Sequence, residues 1–336
     1  MNCLCDTQLS LGRVTIALVQ IIDTVLVLSP SDLVWFTGCE HRSHLDRLVA
    51  RGQLERPTRD DPFVEVLRKH GHLHETRYLD AMRVQGLSVV EVERPGPGLA
   101  GLRAAEAETL SAMRAGVDVI YQATFFDGRW RGHADFLRRV DGASALGTWS
   151  YEAHDTKLAR RTKAATLLQL GEYSRQVARL QGRAPRSLHV ALGDGTVEAF
   201  LFADITAYLD TVRGRFEAAV DSGLVDTSPD PVAMCSYCDW KDRCTAQWRR
   251  EDHLSLVAGA RRDQRNRLVA AGVTTRAALA ALADGAEVSQ LRAATLEALH
   301  AQARLQLASE REGALSWELI DPEVDAPHRG LAGLPA

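Results

Sequence analysis

Val119-Ile120-Tyr121-Gln122-Ala123-Thr124-Phe125-Phe126, Asp127-Gly128, Gly132-His133-Ala134-Asp135-Phe136 and Tyr151-Glu152-Ala153-His154-Asp155-Thr156-Lys157 are the runs from which the fold is read. The Asp-Gly pair stands between two strand-like runs, 117–126 and 129–140, and supplies the positive φ that a tight hairpin turn requires. Asp141-Gly142 predicts a second turn, and 148–156 a third strand. Working outward, the pattern predicts a long helix over 158–181. A short hairpin of 187–192 and 197–202 around Gly193-Asp194-Gly195 comes next, then a helix over 205–220. Upstream, 31–50 reads as a helical pair broken at Gly38-Cys39, 62–82 as a helix, 87–92 as a strand closed by Pro95-Gly96-Pro97-Gly98, and 102–114 as a helix. Helix, three-strand meander, helix and strand in that order make an α/β sandwich.

The chain of 336 residues with 46% hydrophobic content supports a real core. A formal charge of -4 gives no global basic signature, so contact with nucleic acid has to come from local concentrations of arginine. One runs through Arg160, Arg161, Lys163, Arg175, Arg179, Arg183 and Arg186; another through Arg249, Arg250, Arg261, Arg262, Arg265 and Arg267. Either also fits a solvated helix face. The most apolar stretch, 14–28, is interrupted by Gln20 and Asp23 and falls short of the roughly 20 residues that span a bilayer. It reads as a soluble element, and no small-residue cleavage site follows Arg13, so the expected location is cytoplasmic. In a reducing compartment the six cysteines argue for metal or cluster ligation over disulfides.

Alternation along a strand puts Asp155 and Lys157 on one face, an acid and a cation able to serve a metal and one phosphate together. Alone, the triplet also fits a surface ion pair. Asp135, on the face opposite Ala134 and Phe136, strengthens the case, because neighbouring antiparallel strands can bring Asp135 and Asp155 to one metal. Asp135 also fits an edge-strand acid paired with Arg131 or Arg139. His74 and Glu75 sit in a helical segment, where a histidine beside Leu73 and Leu79 also fits core packing. Gln169 and Tyr173 lie four apart and share a helix face that can contact a nucleotide strand, though Tyr173 also fits plain core packing.

Cys235-Ser236-Tyr237-Cys238 is followed by Cys244, with Trp240 and Trp248 as an apolar shield. A fourth ligand is needed, and Cys39 is the best candidate, since Cys3 and Cys5 lie in a poorly patterned leader. Zinc and an iron-sulfur cluster fit the count equally well.

Together these residues resemble the RecB-like branch of the PD-(D/E)XK nuclease superfamily, and within it the iron-sulfur nucleases that include the CRISPR-associated adaptation nucleases and the AddB subunit. The resemblance rests on His74 in an early helix, the Gly-x-x-Asp strand of Gly132 and Asp135, and the acid-x-Lys strand of Asp155 and Lys157. It also rests on the Gln169–Tyr173 helix and on one cysteine upstream with three downstream. It covers about residue 29 onward and is strongest toward the bacterial RecB-like nuclease group. The resemblance implies a restriction-endonuclease-like core, a mixed sheet flanked by helices. It implies magnesium or manganese bound through His74, Asp135, Asp155 and the Thr156 carbonyl, with Lys157 as catalytic cation. It further implies a 4Fe-4S cluster on Cys39, Cys235, Cys238 and Cys244, mostly structural in role.

The expected organisation is an atypical leader over 1–28, a nuclease domain with its cysteine staple over 29–248, an all-α module over 249–315 and an irregular tail over 316–336. The module carries Leu256-Val257-Ala258-Gly259 and Ala271-Gly272-Val273-Thr274-Thr275, which look like a helix-hairpin-helix unit contacting DNA phosphates, though an ordinary helical bundle fits too. Members of the group often continue into a ribonuclease-H-like or helicase region, and their start differs from this one; both departures imply a truncated or altered product. The expected function is metal-dependent hydrolysis of DNA at single-stranded ends, in repair, recombination or defence, alone or with a helicase or recombination partner. The rival expectation is a catalytically inactive DNA-binding scaffold holding a cluster or zinc.

Overall fold

The computed structural model describes residues 19–58, 62–223 and 227–318. Residues 1–18, with Cys3, Cys5 and the first part of the apolar stretch, lie outside the described residues, as does 319–336 of the tail. The chain divides into two compact units, Met1–Ser228 and Pro229–Ala336.

The described part of the first unit opens with a small hairpin, β1 (Gln20–Ile22) and β2 (Val25–Val27), turned at Asp23 and Thr24. Ser29 then caps α1 (Pro30–Gly38), with Asp32 returning the bond to the Ser29 N–H at 2.7 Å and also accepting from the Val19 N–H at 2.7 Å. Gly38-Cys39 breaks the helical pair as the sequence predicts: Cys39 is extended, ending α1 and capping α2 (Glu40–Ala50). Then come α3 (Pro62–Val84), β3 (Val89–Glu91) and α4 (Gly98–Arg114). The meander is β4 (Val119–Phe126), β5 (Arg131–Ser144) and β6 (Gly147–Lys157), followed by α5 (Ala164–Gln181), β7 (Ser187–Leu192), β8 (Val197–Leu201) and α6 (Phe202–Asp221).

Strands β3 to β8 form a six-stranded mixed sheet in the order β3-β4-β5-β6-β7-β8. The meander β4-β5-β6 is antiparallel, while β3 pairs parallel to β4 and β7 parallel to β6. The α5 connection makes the second parallel pairing, as a crossover between parallel strands requires. On one side Leu33 and Phe36 of α1, Leu170 and Val177 of α5, and Leu209 and Phe216 of α6 share a core with Leu137, Ala153 and Val190 of the sheet. On the other, Leu79 and Met82 of α3 pack on Val119, Tyr121 and Phe136. Helices thus flank a mixed sheet, the α/β class predicted from the sequence.

Two boundaries differ from expectation. The Asp141-Gly142 turn does not form: β5 runs on to Ser144, absorbing the glycine in a register shift, and the chain reverses at Ala145-Leu146 instead. The Ser144 hydroxyl fixes that reversal, accepting from the Leu146 N–H at 3.1 Å and donating to the Trp149 carbonyl at 2.6 Å. The helix expected from 158 begins at Ala164, because 158–163 is drawn onto the β7–β8 turn. There the Gly193 N–H donates to the Ala159 carbonyl at 3.2 Å, and a Cβ on Gly193 would sit 2.5 Å from the Leu158 carbonyl oxygen.

The second unit is helical: a short 3-10 turn, Ala233–Tyr237, then α7 (Lys241–Arg250), a second 3-10 turn, Leu254–Leu256, and α8 (Arg262–Ala270), α9 (Arg276–Ala280) and α10 (Ala293–Glu312). Leu254, Val257, Leu268, Leu279, Leu296 and Leu299 make its core. Arg276 ties the unit together, reaching Asp252 at 2.9 Å and Glu310 at 2.6 Å and 2.7 Å. Among the described residues no helix is long and apolar enough to cross a membrane.

Candidate active site

The register that pairs Phe136 with His154 and Leu137 with Ala153 sets Asp135 across from Asp155 one step further along. Asp155 is 2% exposed. The Thr156 N–H donates to Asp135 Oδ2 at 3.4 Å, and the Lys157 ammonium pairs with the Asp155 carboxylate. Two carboxylates in so little water repel each other. Burial first, and the Asp155 charge second, push Asp135 well above the ordinary carboxylate range. Burial opposes the Lys157 charge, but Asp155 and then Asp135 outweigh it and hold the ammonium above its usual pKa. The strand end therefore carries one proton-hungry carboxylate, a second carboxylate facing it and one cation.

Simple alternation does not place Asp135. Phe136 packs with the α3 layer, while Ala134, two residues back, belongs to the α5 layer with Phe125 and Tyr173. The expectation that Ala134 and Phe136 share a face is thereby corrected. The cause lies on the neighbouring strand: Gln122, between the pairs Tyr121–Phe136 and Ala123–Ala134, has φ 56, a left-handed conformation that costs an L-residue about 1–2 kcal/mol. Both strands change phase there, and Asp135 stands at the switch between the two layers.

Glu75 of α3 braces this switch. Its Oε1 accepts from the Gln122 amide at 2.6 Å and the Tyr121 hydroxyl at 2.8 Å, and its charge acts on both Asp135 and Lys157. Burial and then the bond to Glu75 raise the Tyr121 phenol, so it stays a donor. Sequence reasoning named Glu75 beside His74 but gave it no part; the polar Tyr121-Gln122 pair inside an otherwise apolar strand was the available signal. His74 is half-buried with its Nε2 3.3 Å from the carbonyl of Ala191, the residue paired with Thr156 across β6 and β7. It thus stands at the β7 side of the same strand end. His154, next to Asp155, is withdrawn from the site and stacks on His189 with ring centroids 4.0 Å apart.

From α5, the Gln169 amide donates to the Tyr173 hydroxyl at 2.9 Å, as their shared face predicts. Tyr173 is buried, which raises its phenol, and it feels the charges of Asp135 and Asp155. Gly132 makes room for it: a Cβ there would lie 2.9 Å from the Tyr173 ring. Gly132→Ala is accordingly expected to displace Tyr173 and cost about 1–3 kcal/mol, read as a lowered denaturation midpoint. An unchanged midpoint would show that the ring has room to spare.

In the second unit Cys238 and Cys244 are buried beside Trp240, and Cys235 Sγ accepts from the Val232 N–H at 3.4 Å. In the first, Cys39 Sγ accepts from the Arg42 N–H at 3.4 Å. The structure describes each cysteine locally, within its own unit.

The first arrangement can hold a hard cation between two carboxylates and place an ammonium beside it. No family model and no curated protein matches the chain.

Proposed function

We propose that this chain hydrolyses phosphodiester bonds of DNA at single-stranded ends, using a divalent magnesium or manganese ion. The observation that carries the reading is the facing, desolvated pair Asp135 and Asp155 with the Lys157 ammonium against it. The donor set fits such an ion: magnesium takes one or two carboxylates and keeps several waters, and a cation between these carboxylates would relieve the repulsion that raises Asp135. Asp135 and Asp155 would hold it, with the Thr156 carbonyl and His74 as further ligands on the family resemblance. When bound, the ion would supply Lewis acidity and lower the pKa of a bound water.

The chain's own residues do the rest. Lys157 offsets the charge that builds on the phosphate oxygens. Glu75 keeps Gln122 in its left-handed conformation and so keeps Asp135 at the layer switch. Tyr173 and Gln169 offer donors to the substrate strand. A meander of β4, β5 and β6, then α5 and a strand parallel to β6, supports the finer reading of a restriction-endonuclease-like core. In the second unit Gly272, at φ 83 between α8 and α9, supports a helix-hairpin-helix-like contact to phosphates.

The test is a cutting assay on labelled single- and double-stranded DNA with manganese, comparing the wild type with Asp135→Ala and Lys157→Ala. Loss of cutting in both variants is expected. Equal cutting by all three proteins would mean contamination and overturn the reading. A wild type that binds DNA without cutting it would leave the inactive scaffold.

For the four cysteines we propose a 4Fe-4S cluster of structural role. Cys244→Ser is expected to lower the melting temperature while the folded fraction keeps its cutting rate per molecule, since ligand binding energy is folding energy. A fully folded but inactive variant contradicts this, and a colourless, zinc-containing protein after anaerobic purification removes the cluster while leaving the nuclease reading intact.

A further inference from the structure

The arginine-rich run after β6 looks uniform in sequence, but the structure divides it. Arg175 pairs with Asp210 and Glu172, Arg179 with Glu106, and Arg183 donates to the Ala143 carbonyl at 2.7 Å. These three cations are committed within the fold. Arg160, Arg161 and Lys163 are exposed and make no ion pair among the described residues. Asp194, whose carboxylate feels the Arg160 charge, is itself engaged by Thr196, whose N–H donates to it at 3.0 Å.

The position of these three cations gives them meaning. They sit on 158–163, the segment that begins directly after Lys157. The segment is fixed: Ala159 accepts from the Gly193 N–H, the Thr162 N–H donates to Glu198 Oε2 at 3.4 Å, and Gly193 lacks the Cβ that would push Leu158 away. Neutral surface loops pay an ordering cost when they bind a charged chain; a segment already held pays less of it. Three exposed cations without an ion pair among the described residues thus stand on a preordered segment at the end of the Lys157 strand.

We propose that 158–163 receives the sugar-phosphate backbone of a single DNA strand where it continues beyond the bond held at Asp135 and Asp155, with Arg160, Arg161 and Lys163 each facing a phosphate. This rests on the nuclease reading for its substrate but not for its measurement. The contact is blind to base sequence, because phosphates carry none. Its signature is salt dependence: each single-strand phosphate neutralised contributes about 0.7 to the slope of log affinity against log salt.

The test uses the full chain in chelator, so that binding is read without cutting. Fluorescence anisotropy of a labelled oligothymidine is followed across a salt series. Compared are the wild type, the triple variant Arg160→Gln, Arg161→Gln, Lys163→Gln, and a control triple Arg83→Gln, Arg103→Gln, Arg114→Gln that removes the same charge elsewhere on the unit. The loop variant is expected to bind about 10- to 100-fold more weakly with a slope shallower by about 2, while the control stays near wild type. Circular dichroism confirms that all three are folded, as exposed positions lead one to expect. A loop variant with wild-type affinity and slope, or a control that loses as much, overturns the proposal. Metal-dependent cutting by the wild type alongside such a result would leave the nuclease reading standing. Loop-dependent binding without any cutting would instead overturn the nuclease reading and leave this surface.

Discussion

Lys157→Ala is expected to slow manganese-dependent cutting of single-stranded DNA by about 100- to 1000-fold, the cost of removing one preorganised charge from a transition state. It is also expected to destabilise the first unit. Asp155 is buried and paired with Lys157, and deleting one partner of such a pair strands the other charge, at a cost of about 3 kcal/mol. For a domain of this size that is a fall of about 6–12 °C in melting temperature. The two losses separate with manganese. A bound cation can take over the neutralising part of the lysine and restore the melting temperature, whereas it has no means of replacing the ammonium at the phosphate. Single-turnover rates on protein shown by circular dichroism to be folded, with and without restored stability, make the comparison. Lys157→Arg is expected to recover stability better than rate, since a planar fork does not occupy the place of a compact ammonium. A Lys157→Ala protein that cuts within about threefold of wild type would remove the lysine from the chemistry.

Asp135→Asn should give the opposite sign for stability and the same sign for activity. Asp135 is driven up by burial and by Asp155, so its folded pKa lies above its unfolded one. For a raised carboxyl, stability is fully present below the unfolded pKa and is lost as pH rises toward the folded value, because the folded state then binds more protons than the unfolded state. Metal-free wild type is therefore expected to weaken progressively as the pH rises from about 4 toward neutrality. The asparagine variant keeps the shape and a donor toward Asp155 without the titration, so it should be the more stable protein at pH 7 and show no cutting. Asp32, pushed up to about 6, and Glu172, to about 7, both by burial, add a slope of the same sign to both proteins. The difference between the two pH profiles isolates Asp135. A variant less stable than wild type across the whole range would mean that the carboxylate pair is not strained.

These expectations depend on a site that was legible in sequence only in part. The strands announced themselves through alternation and an Asp-Gly turn, and the acid-x-Lys run at the end of β6 gave Asp155 and Lys157 directly. Asp135 was found as a residue, but its placement was not, because alternation fails at Gln122, and a left-handed residue inside a strand leaves no mark in hydrophobic periodicity. Glu75 was passed over for the same kind of reason: its importance comes from bonds to Tyr121 and Gln122, some 46 and 47 positions away. The early start assigned to α5 failed where tertiary bonds to Gly193 and Glu198 overrode local helix propensity. Charge runs were the least legible feature, since whether an arginine is spent within the fold or faces outward depends on which carboxylates arrive from distant elements.

What most directly probes the central claim is anomalous scattering from crystals grown with manganese at a concentration that supports cutting. The expected result is a peak within bonding reach of both Asp135 and Asp155, next to Lys157, that disappears in Asp135→Asn. A peak elsewhere, or none between those carboxylates while the same preparation cuts DNA, would contradict the account.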